Sequence, residues 1–293
     1  MMRRLAWFVA ITLAAPALAQ APMPIEVLLL GTGYPRPDPE RAGPATAILV
    51  GERVFLVDAG RGVVQSWAQT DIALKQLAAV FLTHLHSDHV SGLPDLFNTS
   101  WIFGRYAPLR LYGPAGTRAL ATAMVSFFAV DIPIRRDLTE RHPGAGATVD
   151  VREVGEGIVF KDATLSITAF RVDHRPVKDA FGYRFEAGGR VVVVSGDTRP
   201  SENLIRQAKG ADVLVHEAYL PEHFDRVDTP EVAARLKAYH TSAEEAGQVA
   251  AAAGVKLLVL THLIPGDAEA TFQERASRYF TGKIVVGRDR MRF

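Results

Sequence analysis

Histidine and aspartate are concentrated in one short run of the sequence, His84-Leu85-His86-Ser87-Asp88-His89. The run follows the apolar residues 79–82, which are typical of a buried strand. Side chains two residues apart on an extended chain point to the same side, so His84 and His86 can bind one ion together. Asp88 and His89 come where a helix is expected to begin, and they can face a second ion nearby. Imidazole and carboxylate are suitable ligands for zinc and similar metals.

Three further residues share one context, a polar side chain that closes an apolar strand. They are His174, Asp197 and His262, after residues 165–172, 191–194 and 257–260. Ligands on loops at strand ends are typical of α/β sites, although a single such residue is more often a satisfied polar group. With the first run they give six terminal ligands and one carboxylate that could bridge. Two ions that leave one position for water need about that number.

The segments that must position these residues are short apolar runs separated by turns and helices. Strands are expected at residues 25–30, 46–50, 54–57, 79–82, 165–172, 181–186, 190–195, 213–215, 256–260 and 284–286. Helices are expected at residues 63–69, 114–129, 201–208, 230–239, 243–253 and 271–280. Early strands pair across tight turns and later ones alternate with helices. The pattern predicts an α/β fold, an αββα sandwich of two mixed β-sheets with helices on the outer faces.

Residues 1–19 have the layout of a secretory signal peptide. Arg3 and Arg4 precede an apolar run, and Ala17-Leu18-Ala19 gives a small-x-small cleavage site. A membrane anchor is the alternative, but the run is short for a span of about 20 residues. We therefore expect removal of residues 1–19, a single domain at residues 20–293, a periplasmic or secreted location, and no attachment to the membrane.

Composition restricts the partners and the ligands. The sequence has 33 Lys and Arg residues and 32 Asp and Glu residues. Removal of the signal peptide takes away Arg3 and Arg4, which leaves 31 basic residues against 32 acidic ones. A near-neutral chain lacks the basic character that non-specific nucleic-acid binding needs. The sequence has no cysteine, so neither a disulfide nor a thiolate ligand is available.

The motifs together resemble the metallo-β-lactamase superfamily, in the branch that contains ribonuclease Z, arylsulfatases and cyclic-nucleotide phosphodiesterases. The similar segments span nearly all of residues 20–293: Leu30-Gly31-Thr32-Gly33, Phe55-Leu56-Val57-Asp58-Ala59-Gly60, the run from His84 to His89, Ser195-Gly196-Asp197-Thr198 and Leu258-Val259-Leu260-Thr261-His262. The resemblance implies one metal held by His84, His86 and His174, and a second held by Asp88, His89 and His262. Asp197 would bridge the two, and Asp58 would accept a hydrogen bond from a ligand histidine.

Two more segments resemble motifs of the ribonuclease Z-like enzymes. Val215-His216-Glu217-Ala218-Tyr219 is similar to their HEAT segment, and His240-Thr241-Ser242 is similar to their HST motif. The resemblance implies that His240 donates a proton to the leaving group and that Glu217 orients it. With Asp88, these two residues make up the expected catalytic set. The alternative is that His240 only begins a helix.

Two departures from ribonuclease Z argue against tRNA as the substrate. Only 22 residues separate His174 from Asp197, where ribonuclease Z has a basic, glycine-rich arm that grips tRNA. The P-x-K-x-R-N motif is replaced by the proline-rich run at residues 34–44, which resembles the arylsulfatase-like members. We therefore expect a small-molecule ester as partner and no nucleic acid, and we leave a homodimer open.

The sequence thus predicts an exported hydrolase that cleaves phosphate or sulfate esters, as a phosphodiesterase or an arylsulfatase does. Two divalent ions, zinc first with Mn²⁺ or Fe²⁺ as alternatives, would lower the pKa of a bridging water. The alternative is a lactonase or β-lactamase that attacks a carbonyl. A tRNA 3′ processing endonuclease, a di-iron oxidoreductase and a metal-binding protein without catalysis are less favoured.

Aromatic residues follow the histidine run, and they are expected mainly in the core. One or two of them would line the substrate pocket. They are Trp101, Phe103, Tyr106, Phe127 and Phe128.

Overall fold

Thirteen strands, in the part of the chain that the structure describes, form two mixed β-sheets. The structure is a computed structural model that describes residues 25–227 and 229–293. The first sheet contains β1 (Ile25–Gly31), β2 (Ala45–Val50), β3 (Arg53–Val57), β4 (Leu77–Phe81), β5 (Leu109–Gly113) and β6 (Val149–Glu153) in that order. Neighbouring strands are antiparallel from β1 to β3 and parallel from β3 to β6.

The second sheet is assembled from the later strands of the chain. It contains β7 (Gly157–Lys161), β8 (Ser166–Arg171), β9 (Phe181–Ala187), β10 (Arg190–Val194), β11 (Val213–Tyr219), β12 (Leu257–Ile264) and β13 (Lys283–Val286). Neighbouring strands are antiparallel from β7 to β10 and parallel from β10 to β13. Parallel strands end at the same edge, so this half of the sheet can bring several loops together.

Helices cover the outer faces of both sheets. They are α1 (Val63–Trp67), α2 (Ser87–Val90), α3 (Leu93–Ile102), α4 (Thr117–Phe127), α5 (Asp131–Pro133), α6 (Glu202–Gln207), α7 (Pro221–Val227), α8 (Pro230–Lys237), α9 (Ala243–Ala253) and α10 (Glu269–Ser277). No single helix among the described residues is long and apolar enough to cross a membrane, although α4 and the bent segment at residues 131–138 pass that test as a pair.

Three apolar layers hold the sheets and helices together. Alternate residues of both sheets, such as Phe81 and Phe185, form the layer between the sheets. Residues of the opposite strand faces form a cluster with helix residues on each side, which includes Val80 and Trp101 in the first half and Leu258 and Phe272 in the second. The alternation of side chains along each strand therefore produces the four layers. The predicted αββα sandwich is confirmed.

All of the predicted strands are present, but three strands and some helices were not predicted. β6 and β7 are largely exposed and carry many polar residues, so they lack the apolar run used to find the others. α3 carries Pro94 in its first turn, where a proline is tolerated because its missing N–H would have no partner within the helix. The expected signal peptide lies outside the described residues and stays a prediction.

Candidate active site

The expected metal ligands meet where the parallel strands of both sheets end. Asp58 follows β3 and His84 follows β4, and Asp197 follows β10 in the second sheet. His262 lies inside β12, at a bulge where it has no partner on β11 and a backbone φ of 47°. A bulge re-aims one side chain, which is why His262 turns into the site from the middle of a longer strand than predicted.

The ligand atoms fall into two groups that share one carboxylate. His84, His86 and His174 form the first group, and Asp88, His89 and His262 form the second. Within each group the ligand atoms lie within 4.8 Å of one another. All of these residues are buried except His86, which is exposed. The structure therefore brings together the same two sets that the resemblance implied.

Asp197 lies between the two groups. Its Oδ2 is 3.3 Å from Nε2 of His89, 3.4 Å from Nε2 of His262 and 3.9 Å from Nε2 of His84. These distances join atoms of both groups to one oxygen. A carboxylate in this place can bridge two ions.

Several buried polar atoms of the cluster lack a partner among the described residues. They are Nε2 of His84, Nε2 of His89 and Oδ1 of Asp197. A buried nitrogen or carboxylate oxygen without a partner is costly, and a cation would satisfy all three. The donor set is nitrogen and oxygen, without sulfur, which suits zinc in a hydrolytic site. The residues present therefore fit two divalent metal ions.

The electrostatic environment of the cluster attracts positive charge. Burial alone would lower the pKa of His262, but Asp197 and Asp88 raise it to about 9. Burial alone would raise the pKa of Asp197, but His262 and His89 hold it well below its ordinary range. The carboxylates that favour protonated histidines also favour divalent cations in their place.

Asp58 orients two of the ligand histidines, one directly and one through Thr83. Its Oδ2 lies 2.8 Å from Nδ1 of His89 and also accepts a hydrogen bond from the hydroxyl of Thr83 at 2.8 Å. The same hydroxyl is 3.0 Å from Nδ1 of His84. Because its hydrogen goes to Asp58, the Thr83 hydroxyl accepts from His84, and this leaves Nε2 of His84 as the ligand atom. The sequence-based expectation included Asp58 but missed Thr83.

Replacing Thr83 with Val is expected to weaken metal binding. The substitution preserves the shape of the side chain but removes the acceptor that fixes the tautomer of His84. Loss of such a partner typically lowers metal affinity by about 10–100-fold. Competition with a chelator would measure the change in affinity. Thr122→Val removes an exposed hydroxyl of α4 that bonds only to the backbone oxygen of Arg118, and it should leave affinity unchanged. Equal affinity of Thr83→Val and the natural protein would refute the relay.

A second pair of buried groups lies beside the cluster. Oε2 of Glu217 is 2.7 Å from Nδ1 of His240, and Oε1 of Glu217 accepts a hydrogen bond from the backbone N–H of Thr198 at 2.5 Å. Burial lowers the pKa of His240 to about 4, and burial raises the pKa of Glu217. The contact with Glu217 occupies Nδ1 of His240, which leaves Nε2 of His240 to act on a substrate.

His240 is not the cap of the helix that follows it. The cap of α9 is Ser242, whose hydroxyl accepts from the backbone N–H of Glu245, while the Glu245 carboxylate accepts from the backbone N–H of Ser242. This capping box satisfies the start of the helix without His240. The alternative interpretation of His240 as a helix start is therefore wrong.

The cluster opens into a cavity of about 510 Å³. Its polar wall includes His86, Asp88, Asp197, His240 and His262. Its other wall carries Tyr34 and Arg36, from the proline-rich run at residues 34–44, and residues that the sequence did not assign to a site: His223, Phe224, Leu236, Tyr239 and Ile264. No sequence pattern indicates that these residues form one wall, because they come from three distant segments.

The aromatic residues expected near the substrate lie elsewhere. In the described part of the chain, none of the five lines this cavity. Trp101 is in the core, as expected, but Phe103, Tyr106 and Phe127 are exposed. They belong to α3, α4 and the connection between them, on the outer face of the first sheet, and this location explains the error. His142 packs against Trp101 and Tyr106, away from the ligand groups.

Comparison with known proteins agrees with the fold and the cluster. Residues 53–263 match the family described as the beta-lactamase superfamily domain. The structure resembles the metallo-beta-lactamase fold protein YhfI from Bacillus subtilis, with a TM-score of 0.69 and 22% identity over 93% of this chain and 99% of that one. It also resembles human tRNase Z, short form, with a TM-score of 0.70 and 23% identity over 92% of this chain and 98% of that one. Fold and site thus define a metal-dependent hydrolase of the metallo-β-lactamase class that uses two divalent ions.

Sequence relatives narrow the class further. Ribonuclease Z of Mycobacterium sp. (strain KMS) is 42% identical over 277 residues, which cover 90% of this chain and 94% of the relative. Ribonuclease Z of Mycobacterium bovis (strain BCG / Pasteur 1173P2) is 39% identical over 275 residues, which cover 90% of this chain and 96% of the relative. The chain belongs to the ribonuclease Z family.

This membership corrects two expectations from the sequence. The predicted hydrolysis of small phosphate or sulfate esters is wrong, and so is the expectation of no nucleic acid as partner, because relatives at this identity are named ribonuclease Z. The short β9–β10 hairpin had argued against RNA. The relatives align with this chain over nearly their whole length, so a protein can be named ribonuclease Z without a long arm between the positions of His174 and Asp197. The near-neutral net charge was also a poor guide to the partner, because nucleic-acid binding depends on how charge is distributed over the surface and not on its sum.

Proposed function

We propose that this protein is an endoribonuclease of the ribonuclease Z type that hydrolyses a phosphodiester bond in the 3′ processing of tRNA precursors. One observation carries the proposal. The pair of Glu217 and His240 lies beside a His/Asp cluster that fits two metal ions, so a proton donor stands next to the site of attack. The names of the relatives support RNA as the substrate.

In the proposed reaction the seven ligand residues hold the two ions, and His240, positioned by Glu217, protonates the leaving oxygen. When bound, two divalent ions supply a nucleophilic hydroxide near neutral pH and offset charge on the phosphoryl oxygens. The scissile P–O bond breaks, and the leaving oxygen takes the proton from Nε2 of His240, which enters this step as the imidazolium paired with the Glu217 carboxylate and leaves it as the neutral imidazole. Oε2 of Glu217 keeps Nδ1 of His240 in place, and its bond to Thr198 fixes the carboxylate beside Asp197.

A precursor tRNA with a 3′ trailer should be cut once by the metal-loaded protein. The products should be a tRNA of mature length at the 3′ end and a short trailer. The measurement is gel analysis of end-labelled RNA, with a tRNA that lacks a trailer as the control substrate. Protein that hydrolyses a nitrophenyl phosphodiester but leaves the precursor intact would overturn the proposal, since the metal centre would then be active on another substrate.

Export stays a separate proposal. It rests on Arg3, Arg4 and the small-x-small site at Ala17 to Ala19. A mature N-terminus at Gln20 or Ala21 and a periplasmic or secreted location are the expected results, and a chain that keeps its first residues in the cytoplasm would exclude export. Location and RNA cleavage are measured independently, so either result leaves the other standing.

A further inference from the structure

The cavity beside the metal cluster is large enough for a substrate group and has two unlike walls. Its volume of about 510 Å³ is within the range of sites that hold small organic ligands. The cluster and His240 form one wall. The facing wall is aromatic and aliphatic, where Tyr34 and Leu236 pack on the buried group of Tyr219, Phe224 and Ile264. A flat apolar group attached to the scissile phosphate would therefore meet a matching surface.

Tyr34 is placed so that part of its ring forms the cavity surface. The side chain is half-buried and packs edge-on against His223, with ring centroids 6.1 Å apart and an interplanar angle of 89°. Burial raises the pKa of the Tyr34 phenol, so the ring is neutral at physiological pH. A neutral aromatic surface does not repel a phosphate diester.

The loop that carries Tyr34 is fixed at both ends. Asp289 accepts hydrogen bonds from the backbone N–H of Thr32 at 2.9 Å and of Ala42 at 2.7 Å. Arg41 is buried and bonds to the backbone oxygen of Gly266 at 2.9 Å and to Glu269 at 2.6 Å. Three prolines between these anchors, at residues 35, 37 and 39, restrict the remaining backbone. Tyr34 is thus held in position before a substrate arrives, which reduces the entropy lost on binding.

Arg36 adds a positive charge at the rim of the same cavity. Its side chain is exposed and lines the cavity together with Tyr34. Arginine is well suited to bind phosphate oxygens because its guanidinium offers several donors in a fixed plane. An aromatic surface beside an exposed arginine is the combination that recognises unpaired nucleotides, through stacking on the base and charge on the backbone.

We propose that Tyr34 and Arg36 form a subsite for an unpaired nucleotide of the RNA substrate. The ring of Tyr34 stacks on the base of the nucleoside that carries the leaving oxygen, since His240 and Tyr34 line the same cavity. Arg36 binds the next phosphate along the strand. The inference rests on the proposed function and specifies which part of the RNA occupies the cavity.

A comparison of normal and abasic substrates tests the stacking. With a 3′-extended precursor, Tyr34→Ala should raise KM about tenfold, and Tyr34→Phe should restore most of the loss because it keeps the ring. A second precursor lacks the base of the nucleoside that carries the leaving oxygen. With it, the KM of the natural protein should rise by about the same factor, and Tyr34→Ala should raise KM no further. If Tyr34→Ala raised KM equally for both substrates, Tyr34 would only shape the cavity. If it raised KM for neither, contact between Tyr34 and the base would be excluded.

Salt dependence tests the role of Arg36. Arg36→Ala should reduce the slope of log KM against log salt concentration by about 0.7, the value for one phosphate contact with a single strand. Lys283→Ala removes one positive charge at the start of β13, at the end of the sheet opposite the cluster, and should leave the slope unchanged. An unchanged slope in Arg36→Ala would refute the phosphate contact.

These results separate the inference from the proposed function. If the natural protein cleaves the precursor and Tyr34→Ala matches it on the normal substrate, only the subsite is wrong. If the natural protein hydrolyses a nitrophenyl phosphodiester but neither binds nor cleaves the precursor, the proposed function is wrong. A nucleotide of the precursor is then also excluded as the occupant of the cavity.

Discussion

Asp197→Ala is expected to remove both metal ions and nearly all hydrolytic activity. Oδ2 of Asp197 lies between the two ligand groups, 3.3 Å from Nε2 of His89 and 3.9 Å from Nε2 of His84. Its loss takes one ligand from each site and also the negative charge that balances the cations. Metals contribute several kcal/mol to transition-state stabilisation, so the rate should fall by about 10³ or more.

Elemental analysis and calorimetric titration would follow the metal content of this variant. We expect two zinc equivalents in the natural protein and fewer than one in Asp197→Ala at micromolar metal. Asp197→Asn keeps the size of the side chain and loses the charge, so it separates a charge effect from a packing defect. His142→Ala is the matched control, because His142 packs on Trp101 and belongs to neither ligand group.

His142 and His223 differ in their distance from the substrate cavity, which only His223 lines among the two. His223 also lies outside every sequence motif, yet it is buried, lines the cavity and packs against Tyr34. It is therefore unsuitable as a neutral position. Full metal content and activity in Asp197→Ala, or a loss in His142→Ala as large as that in His84→Ala, would contradict the ligand assignment.

His240→Ala is expected to slow hydrolysis by about 10²–10⁴ while both metals stay bound. His240 is not among the seven proposed ligands, and Nδ1 is occupied by Glu217 at 2.7 Å. The loss should grow as the leaving group becomes poorer, because an alkoxide needs a proton and a nitrophenolate does not. Steady-state rates on a ribonucleotide diester and on a nitrophenyl phosphodiester, with metal analysis of the same sample, would measure this.

Glu217→Gln is the companion variant. It keeps a side chain of the same shape and an oxygen that accepts from Thr198, but it loses the negative charge that pairs with protonated His240, so its rate loss should be smaller and follow the same trend. The group His174, Asp197 and His240 is compact enough to bind a metal, which gives the alternative outcome. A uniform rate loss across leaving groups, together with lost metal, would make His240 a ligand instead of a proton donor.

Sequence patterns were sufficient for the metal cluster because its chemistry is local. The His84 to His89 run is contiguous, and each of His174, Asp197 and His262 closes or interrupts an apolar strand. The strands themselves are buried on both faces, so their apolar runs are distinct. Residue type, spacing and strand position therefore carried most of the information on the fold and the ligand set.

The tertiary structure decided which residues surround the substrate and support the ligands. Thr83 joins Asp58 to His84 through one hydroxyl, a relation that no residue spacing expresses. Tyr34 and His223 lie far apart in the sequence and meet only because Asp289 and Arg41 fix the first loop beside α7.

The same distinction explains why the substrate was misjudged from the sequence. Two ions and a proton donor can serve many esters, so the residues that the motifs identify do not select among them. Selection depends on loops and cavity walls, whose partly exposed residues follow no periodic pattern and acquire their role only when distant segments pack together. The sequence by itself determined the chemistry at the metal centre, whereas folding determined the cavity in which a nucleotide can lie.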